Sequence, residues 1–415
     1  MRRLSIAQKL LLICAAFLLP LLVQLTIMLL SFQEQIDKAE SERAGNLFLA
    51  PVRLLLTRVP EHGRLVHLAA TGTAGLEPQI TALGTEIDAA FGTLTSEARK
   101  YGRAFRLEAK ELAAAGRERT DPEGIRRRWE QVHTTWSRVP VEANDKAHRE
   151  LAGDLNLLLQ QVGEASGLYL DPDLDSFYVM DASIRALQRV HAQIALALLL
   201  GTTAPADPAW PDDVRGRLVT VGQQLRDVNL ARVREEVTAA LREDNRSYGV
   251  SAVFQREVPP RLADFTTAVG QFVGLMEAAY KDPARTPAPA TFLAAGERAR
   301  QGGAALWDSL SVALDDLLLR RVAHHRNRRL AALVLSFLAL VVAVAMVASV
   351  ARGITRPLDR VMDVAIRLST GDVAGAQATA NGLGNAAATA KDGSRDEVWR
   401  LAGAFTEMAL SLIHI

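Results

Sequence analysis

The sequence is poor in cysteine, in aromatic residues and in net charge. Its 415 residues include one cysteine, Cys14, which excludes an intrachain disulfide and a cysteine metal cluster. Aromatic residues make up 5% of the chain, and a formal net charge of +1 gives no argument for nucleic acid as a partner. No stretch alternates polar and β-branched residues with a period of two, so we expect no sheet. The apolar excess lies in leucine, alanine and valine, and it favours an all-α fold.

Two long apolar runs divide the chain. Residues 10–30 are interrupted only by Pro20, Gln24 and Thr26, and residues 330–351 contain no charged side chain. At about 1.5 Å per residue, each run is about 32 Å long, enough to cross a hydrocarbon core of about 30 Å. A cleaved signal peptide is the alternative for the first run, but its apolar region is too long and no small-x-small cleavage site follows. We therefore predict two transmembrane helices, at 10–30 and 330–351.

Flanking charge predicts the orientation of these helices. Basic residues lie before the first run and after the second: Arg2, Arg3, Lys9, Arg352, Arg356 and Arg360. The positive-inside tendency then places residues 1–9 and the C-terminal part in the cytoplasm, and residues 33–329 outside the inner (plasma) membrane. Arginines at 320–329 oppose this orientation, but charge bias loses force next to a long translocated segment.

The segment 33–329 has helical periodicity throughout. Three apolar stripes follow spacings of four and three: Leu151, Leu155, Leu158, Val162, Ala165 and Tyr169; Leu218, Val221, Leu225 and Val228; and Leu306, Leu310, Ala313 and Leu317. Such stripes are typical of long antiparallel helices in a bundle. We expect a sensor of one or two stacked four-helix bundles, with Trp129, Trp136 and Trp307 in the core or at an interface.

The run from 170 to 181 is rich in aspartate. Asp171 can cap a new helix, Pro172 suits its first position, and Asp173 and Asp175 lie near its positive end. A calcium loop is the tempting alternative, but the glycine and the glutamate that it requires are absent at 176 and 182, so no metal is expected. Because polar and aromatic groups share this turn, Asp171, Asp173, Asp175 and Tyr178 are candidate ligand contacts.

This aspartate-rich run resembles a segment of the extracellular helical sensor modules of bacterial chemoreceptors and of some hybrid histidine kinases. Leu54–Gly72 is similar to the early helix of those modules, although the order His62-Gly63-Arg64 departs from their usual His-Arg-Gly. The resemblance implies an extracytoplasmic sensor that responds to a small ligand or to a periplasmic binding protein. His62, His67, His133, His148 and His191 are scattered along the sequence, and we expect ordinary surface or core positions for them.

Two short heptad stretches follow the second apolar run. The first contains Ile354, Leu358, Val361, Ala365 and Leu368, and the second contains Val398, Leu401, Phe405 and Met408. Two short heptad helices cannot bury their seams alone, so we expect them to pair in a parallel homodimer.

Residues 352–409 resemble a HAMP domain. The resemblance rests on Pro357 shortly after the membrane, on Gly371-Asp372 at the end of the first helix and on Asp396-Glu397 at the start of the second. It implies a parallel four-helix bundle of two chains, which relays movement of the membrane helix to output helices. The stretch 374–395 is longer than a typical connector, and we expect it to be partly disordered.

Residues 410–415 look like the translation of a sequencing adapter, so we expect the natural protein to continue into an output domain.

There is no phosphate-binding glycine loop and no H-x-x-x-H pair, so we predict no catalysis and no cofactor for this chain. Two functions remain. The first, slightly favoured, is a chemotaxis receptor that acts on a downstream kinase; the second is the sensory half of a histidine kinase or nucleotide cyclase.

Overall fold

A computed structural model describes residues 6–204, 209–391 and 397–413. In these ranges the chain forms thirteen α-helices and no strand, which confirms the all-α prediction. The helices are α1 (Ile6–Ala70), α2 (Glu77–Tyr101), α3 (Ala109–Ala114), α4 (Pro122–Thr135), α5 (Val141–Ala165), α6 (Leu174–Met180), α7 (Leu187–Thr203), α8 (Asp212–Gln223), α9 (Ala231–Glu243), α10 (Ala252–Lys281), α11 (Pro289–Ser369), α12 (Val373–Lys391) and α13 (Glu397–Ile413).

Two π-helical segments interrupt the regular α-helical register. Asp181–Ala186 joins α6 to α7, and Gln224–Leu230 joins α8 to α9. The second segment explains a wrong prediction: Val228, assigned to an apolar stripe, is 60% exposed, while Leu230 is buried in its place. A π turn takes up more residues than an α turn, so the buried face shifts along the sequence. The remaining members of the three stripes are buried or packed against the core.

Contacts divide the chain into a compact unit, Gln33–Arg326, and a second unit that contains residues 1–32 and 327–415. Within the compact unit, α1, α2, α4 and α5 surround a core that includes Phe48, Phe91 and Trp129, and α7 to α11 surround one that includes Phe272 and Trp307. Both groups belong to one continuous apolar core. Trp129 and Trp307 are fully buried and Trp136 is partly buried against the core, as expected.

The two groups meet where α1 packs antiparallel to α11. The Asn46 amide donates to the Ser311 carbonyl at 2.8 Å, and Arg43 pairs with Asp315 at 2.7 Å. The Arg53 guanidinium, which is buried, donates to Ser311 Oγ at 2.6 Å. Polar contacts in an otherwise apolar interface fix the register, since any slip would leave buried donors unpaired.

Only α1 and α11 among the described helices are long and apolar enough to cross a membrane. Each contains an apolar window whose side chains are not buried by the rest of the chain, at Phe17 and Leu21 in α1 and at Leu335 and Phe337 in α11. These four exposed side chains lie within the predicted spans at 10–30 and 330–351. Arg2 and Arg3, on which part of the predicted orientation rests, lie outside the described residues.

In the second unit, the residues that follow α11 are more helical than the sequence predicts. Residues 373–391 form the helix α12, where we expected partial disorder. The stretch is rich in alanine, the strongest helix former, and this local propensity explains the helix. Residues 392–396 of the predicted connector, and 414–415 of the predicted adapter segment, lie outside the described residues. Val364, Ala380 and Ala409 form a small shared core between α11, α12 and α13.

Candidate functional site

The candidate ligand residues lie in and after the turn between α5 and α6. Asp171 and Asp175 are buried, while Asp173 and Tyr178 are half-buried. The predicted helix start is wrong by two residues, since α6 begins at Leu174 with Asp173 in the capping position. Asp171 does not cap the helix. Its carboxylate accepts from the Asp173 backbone N–H at 3.0 Å, and it also binds a cation from a distant part of the sequence.

That cation is Arg321 of α11, a residue with a relative exposure of 3%. Its Nη1 lies 2.7 Å from Glu42 Oε2 of α1, and its Nη2 lies 2.6 Å from Asp171 Oδ1. Its Nε lies 2.6 Å from Asp173 Oδ2, and Nη2 also donates to Ser176 Oγ. We call Arg321, Glu42, Asp171, Asp173 and Ser176 the Arg321 cluster. It joins both long helices to the aspartate-rich turn.

A second turn covers the Arg321 cluster. The Tyr248 hydroxyl donates to both carboxylate oxygens of Asp173, at 3.0 and 3.2 Å. The Asp244 carboxylate orders this turn between α9 and α10, because it accepts from the Ser251 backbone N–H at 3.0 Å. The Ser251 hydroxyl in turn donates to Asp316 of α11 at 2.6 Å.

Local backbone geometry brings the aspartates to α1. Gly167 follows α5 with a φ of 89°, in the left-handed region that favours glycine. The chain can therefore reverse directly into the short 3-10 turn Leu168–Leu170 and deliver Asp171 next to Glu42.

Burial dominates the electrostatics of the cluster. Burial, followed by repulsion from Asp171, raises the pKa of Glu42 to about 8, against the attraction of Arg321. Burial also raises the pKa values of Asp171 and Asp175. Although burial opposes it, attraction to Asp171 and Glu42 raises the pKa of Arg321. The raised pKa of Glu42 limits the excess negative charge around a single cation.

Three histidines that are scattered along the sequence meet between α1, α4 and α5 of the compact unit. His62 Nδ1 lies 2.9 Å from His148 Nε2, and the ring centroids of His62 and His133 are 5.7 Å apart. His148 Nδ1 donates to the Asn144 carbonyl at 2.8 Å, so His148 Nε2 is the acceptor and His62 Nδ1 the donor. Among the described residues, no group of three or more histidine, cysteine or acidic side chains is placed to hold a metal ion.

The order His62-Gly63-Arg64, which differs from the His-Arg-Gly order named above, has a structural explanation. A Cβ at position 63 would lie 2.9 Å from His148 Cγ, so only glycine lets α5 approach α1 this closely. The sequence did carry a signal for the histidine cluster, since His62 and His133 each lie three or four residues from a buried apolar residue, Val59 and Trp129. That spacing predicts burial of each ring, but it does not predict that the rings meet.

The predicted relay residues differ in their burial. Ile354, Leu358, Val361 and Leu368 are half-buried on α11, and Pro357 is buried. Gly371 follows α11 with a φ of 82°, and Glu397 is exposed at the start of α13. On α13, Val398 and Phe405 are half-buried, whereas Leu401 and Met408 are 59% and 52% exposed. Within one chain α13 buries a different face, which consists of Ala402, Thr406 and Ala409.

Comparison of the chain with protein-family models, with curated proteins and with solved structures found no match.

Replacing Arg321 with methionine should destabilise the compact unit by about 3–5 kcal/mol, because it leaves Asp171 and Asp173 without their buried cation. The matched control is Arg320→Gln, on the same helix, whose side chain is 34% exposed and pairs with Asp316. The control should cost about 0–1 kcal/mol. Denaturant unfolding of the detergent-solubilised chain measures both, and equal losses would contradict a special role for Arg321.

Acid should destabilise the protein through the histidine cluster. Burial, then repulsion from His148 and His133, lowers the pKa of His62 to about 3. Between about pH 6.5 and that value the unfolded chain binds more protons than the folded one, so the free energy of unfolding falls as pH falls. The His62→Gln variant should have a shallower acid slope in denaturant titrations. His67→Gln, five residues further along α1 and paired with Asp145, is the control, and an unchanged slope in His62→Gln would refute the assignment.

Proposed function

We propose that this chain is the sensory and relay part of a two-pass receptor in the inner membrane. In this proposal residues 33–329 form the extracytoplasmic sensor, 10–30 and 330–351 cross the bilayer, and 352–409 form a HAMP-type relay in a homodimer. The chain senses an extracytoplasmic stimulus, a small ligand or a periplasmic binding protein, and passes the signal to an output domain. A chemotaxis output that acts on a kinase is the form we favour.

One observation carries the proposal. The two helices that are apolar enough to cross a membrane, α1 and α11, are the same two that the Arg321 cluster ties together. Arg321 lies nine residues before the second apolar run, and Glu42 lies twelve residues after the first. A rearrangement of the sensor therefore has a mechanical connection to both apolar helices through buried ionic contacts.

The expected mechanism is a shift between two discrete packings. A buried ion pair cannot stretch gradually, because partial separation would leave a charge uncompensated in a low-dielectric interior. The aspartate-rich turn therefore moves together with Arg321 or loses its contact altogether. Such a two-state contact converts a small displacement of α6 into a defined displacement of α11 relative to α1.

Exposed apolar side chains beyond the second run support the homodimer. Leu401 and Met408 of α13 and Met362 and Ile366 of α11 are all more than half exposed in the single chain. Leu401 and Met408 belong to the predicted heptad seam, in which each side chain is covered by a partner helix. A second copy of the chain would bury these side chains.

The relay is tested by Leu401→Glu in residues 1–409 fused to a chemoreceptor output domain. Because Leu401 is exposed in the single chain, the substitution should not unfold it, but a charge in the dimer seam should fix the basal output at one extreme. Glu407→Gln, at an exposed position of the same helix, should leave the basal output unchanged. Kinase activity in membranes measures both, and a normal output from Leu401→Glu would overturn the relay role.

A further inference from the structure

A polar cavity of about 350 Å³ lies between α5, the turn at Tyr169, the π-helical segment Asp181–Ala186, α7 and α9. Its volume is within the range of small-molecule sites. The charged and polar groups that line it include Asn156, Tyr169, Arg185, Gln188, Arg189 and Arg232. This cavity is distinct from the Arg321 cluster, none of whose residues line it.

Positive charge is in excess at the cavity. Arg185 pairs with Asp181 at 3.2 Å, and Arg232 pairs with the same carboxylate. Within the described part of the chain, no carboxylate lies within ion-pairing distance of Arg189. Glu164, the acid among the lining residues, is already bound to Arg117 at 2.7 Å. Arg185 and Arg232 therefore share the Asp181 carboxylate, although Arg232 Nε also lies 2.6 Å from Glu236 Oε1.

The neighbouring Glu236 does not balance this excess at neutral pH. Burial, with a hydrogen bond to Asp181, raises the pKa of Glu236 to about 8. Although burial opposes it, hydrogen bonds with Glu236 and Arg232 lower the pKa of Asp181. The raised pKa of Glu236 weakens its negative charge, whereas the lowered pKa of Asp181 keeps that carboxylate ionised. Arg189 has no carboxylate partner among the described residues, and Arg185 and Arg232 compete for Asp181, so a dianion would supply the missing partners.

The lining also contains an unused hydrogen-bond acceptor. The carboxamide oxygen of Asn156 is buried, and no group in the described residues donates to it. A buried acceptor without a donor is unfavourable, and a ligand hydroxyl would satisfy it. On the opposite side, the Arg185 guanidinium lies 4.4 Å from the centroid of the Tyr169 ring, which holds it in place over an aromatic face.

We infer that this cavity binds a small hydroxylated dianion, whose carboxylate or phosphate oxygens pair with Arg185, Arg189 and Arg232. Guanidinium groups suit this role because they bind either kind of oxyanion through two parallel hydrogen bonds. The inference deepens the proposed receptor function by naming a ligand class, and it rests on that function for its consequence. A ligand that competes with Asp181 for Arg185 and Arg232 would act on the C-terminal end of α6. The turn before the N-terminal end of α6 carries the contact of Asp171 with Arg321.

The experiment is isothermal titration calorimetry on the full chain in lipid nanodiscs. Tartrate tests the carboxylate arm and glycerol phosphate the phosphate arm; acetate and choline test a monoanion and a cation. We expect at least one of the two dianions to bind about tenfold or more tightly than acetate, with no binding of choline. Arg189→Gln should weaken that binding by about tenfold or more, since Arg189 is exposed and its loss should not affect folding.

The matched control is Arg234→Gln, an exposed arginine on the same helix as Arg232 that does not line the cavity; it should bind like the wild type. Absence of binding by both dianions, or equal binding by wild type and Arg189→Gln, would overturn the inference. Because the measurement needs no output domain, such a failure leaves the receptor proposal to its own test with Leu401→Glu.

Discussion

A single arginine with almost no access to water constrains how the two longest helices of this protein pack. Arg321 cannot lose its carboxylate partners without leaving a charge in a low-dielectric interior, and those partners come from α1 and from the turn before α6. Tyr248, from the turn between α9 and α10, fixes one of them in place. Four separate parts of the sequence are therefore coupled at one point. Apolar packing alone would allow them to adjust independently and by small amounts.

Two polar sites lie at opposite ends of one short helical stretch. Asp171 contacts Arg321 before α6, while Asp181 contacts Arg185 and Arg232 after it. Burial raises the pKa of Asp171, whereas hydrogen bonds lower the pKa of Asp181 against the effect of burial. Both sites draw an arginine from another helix. A helix anchored by ionic contacts at both ends transmits displacement better than one held by apolar contacts, because the contacts are directional. This arrangement gives the aspartate-rich run a structural role whether or not it touches a ligand.

Local sequence patterns predict much of the fold, but they do not predict which residues far apart in the sequence are in contact. The helical stripes and the two apolar runs follow from periodicity within one helix, so they could be predicted from the sequence. The partner of Asp171 is 150 residues away, and spacing along the chain carries no information about such a contact. The convergence of His62, His133 and His148 from three helices was missed for the same reason. The prediction that Val228 is buried is wrong because a π turn changes the helical period on which that prediction rests.

The claim that α1 and α11 lead from one side of a membrane to the other is tested most directly by cysteine labelling. Cys14 is the only cysteine, so Cys14→Ala gives a clean background for Lys110→Cys and Ser369→Cys, both at exposed positions. In intact cells with a permeabilised outer membrane, a membrane-impermeant maleimide should label position 110, and position 369 only after lysis. Labelling of both positions from the same side of the membrane would contradict the account.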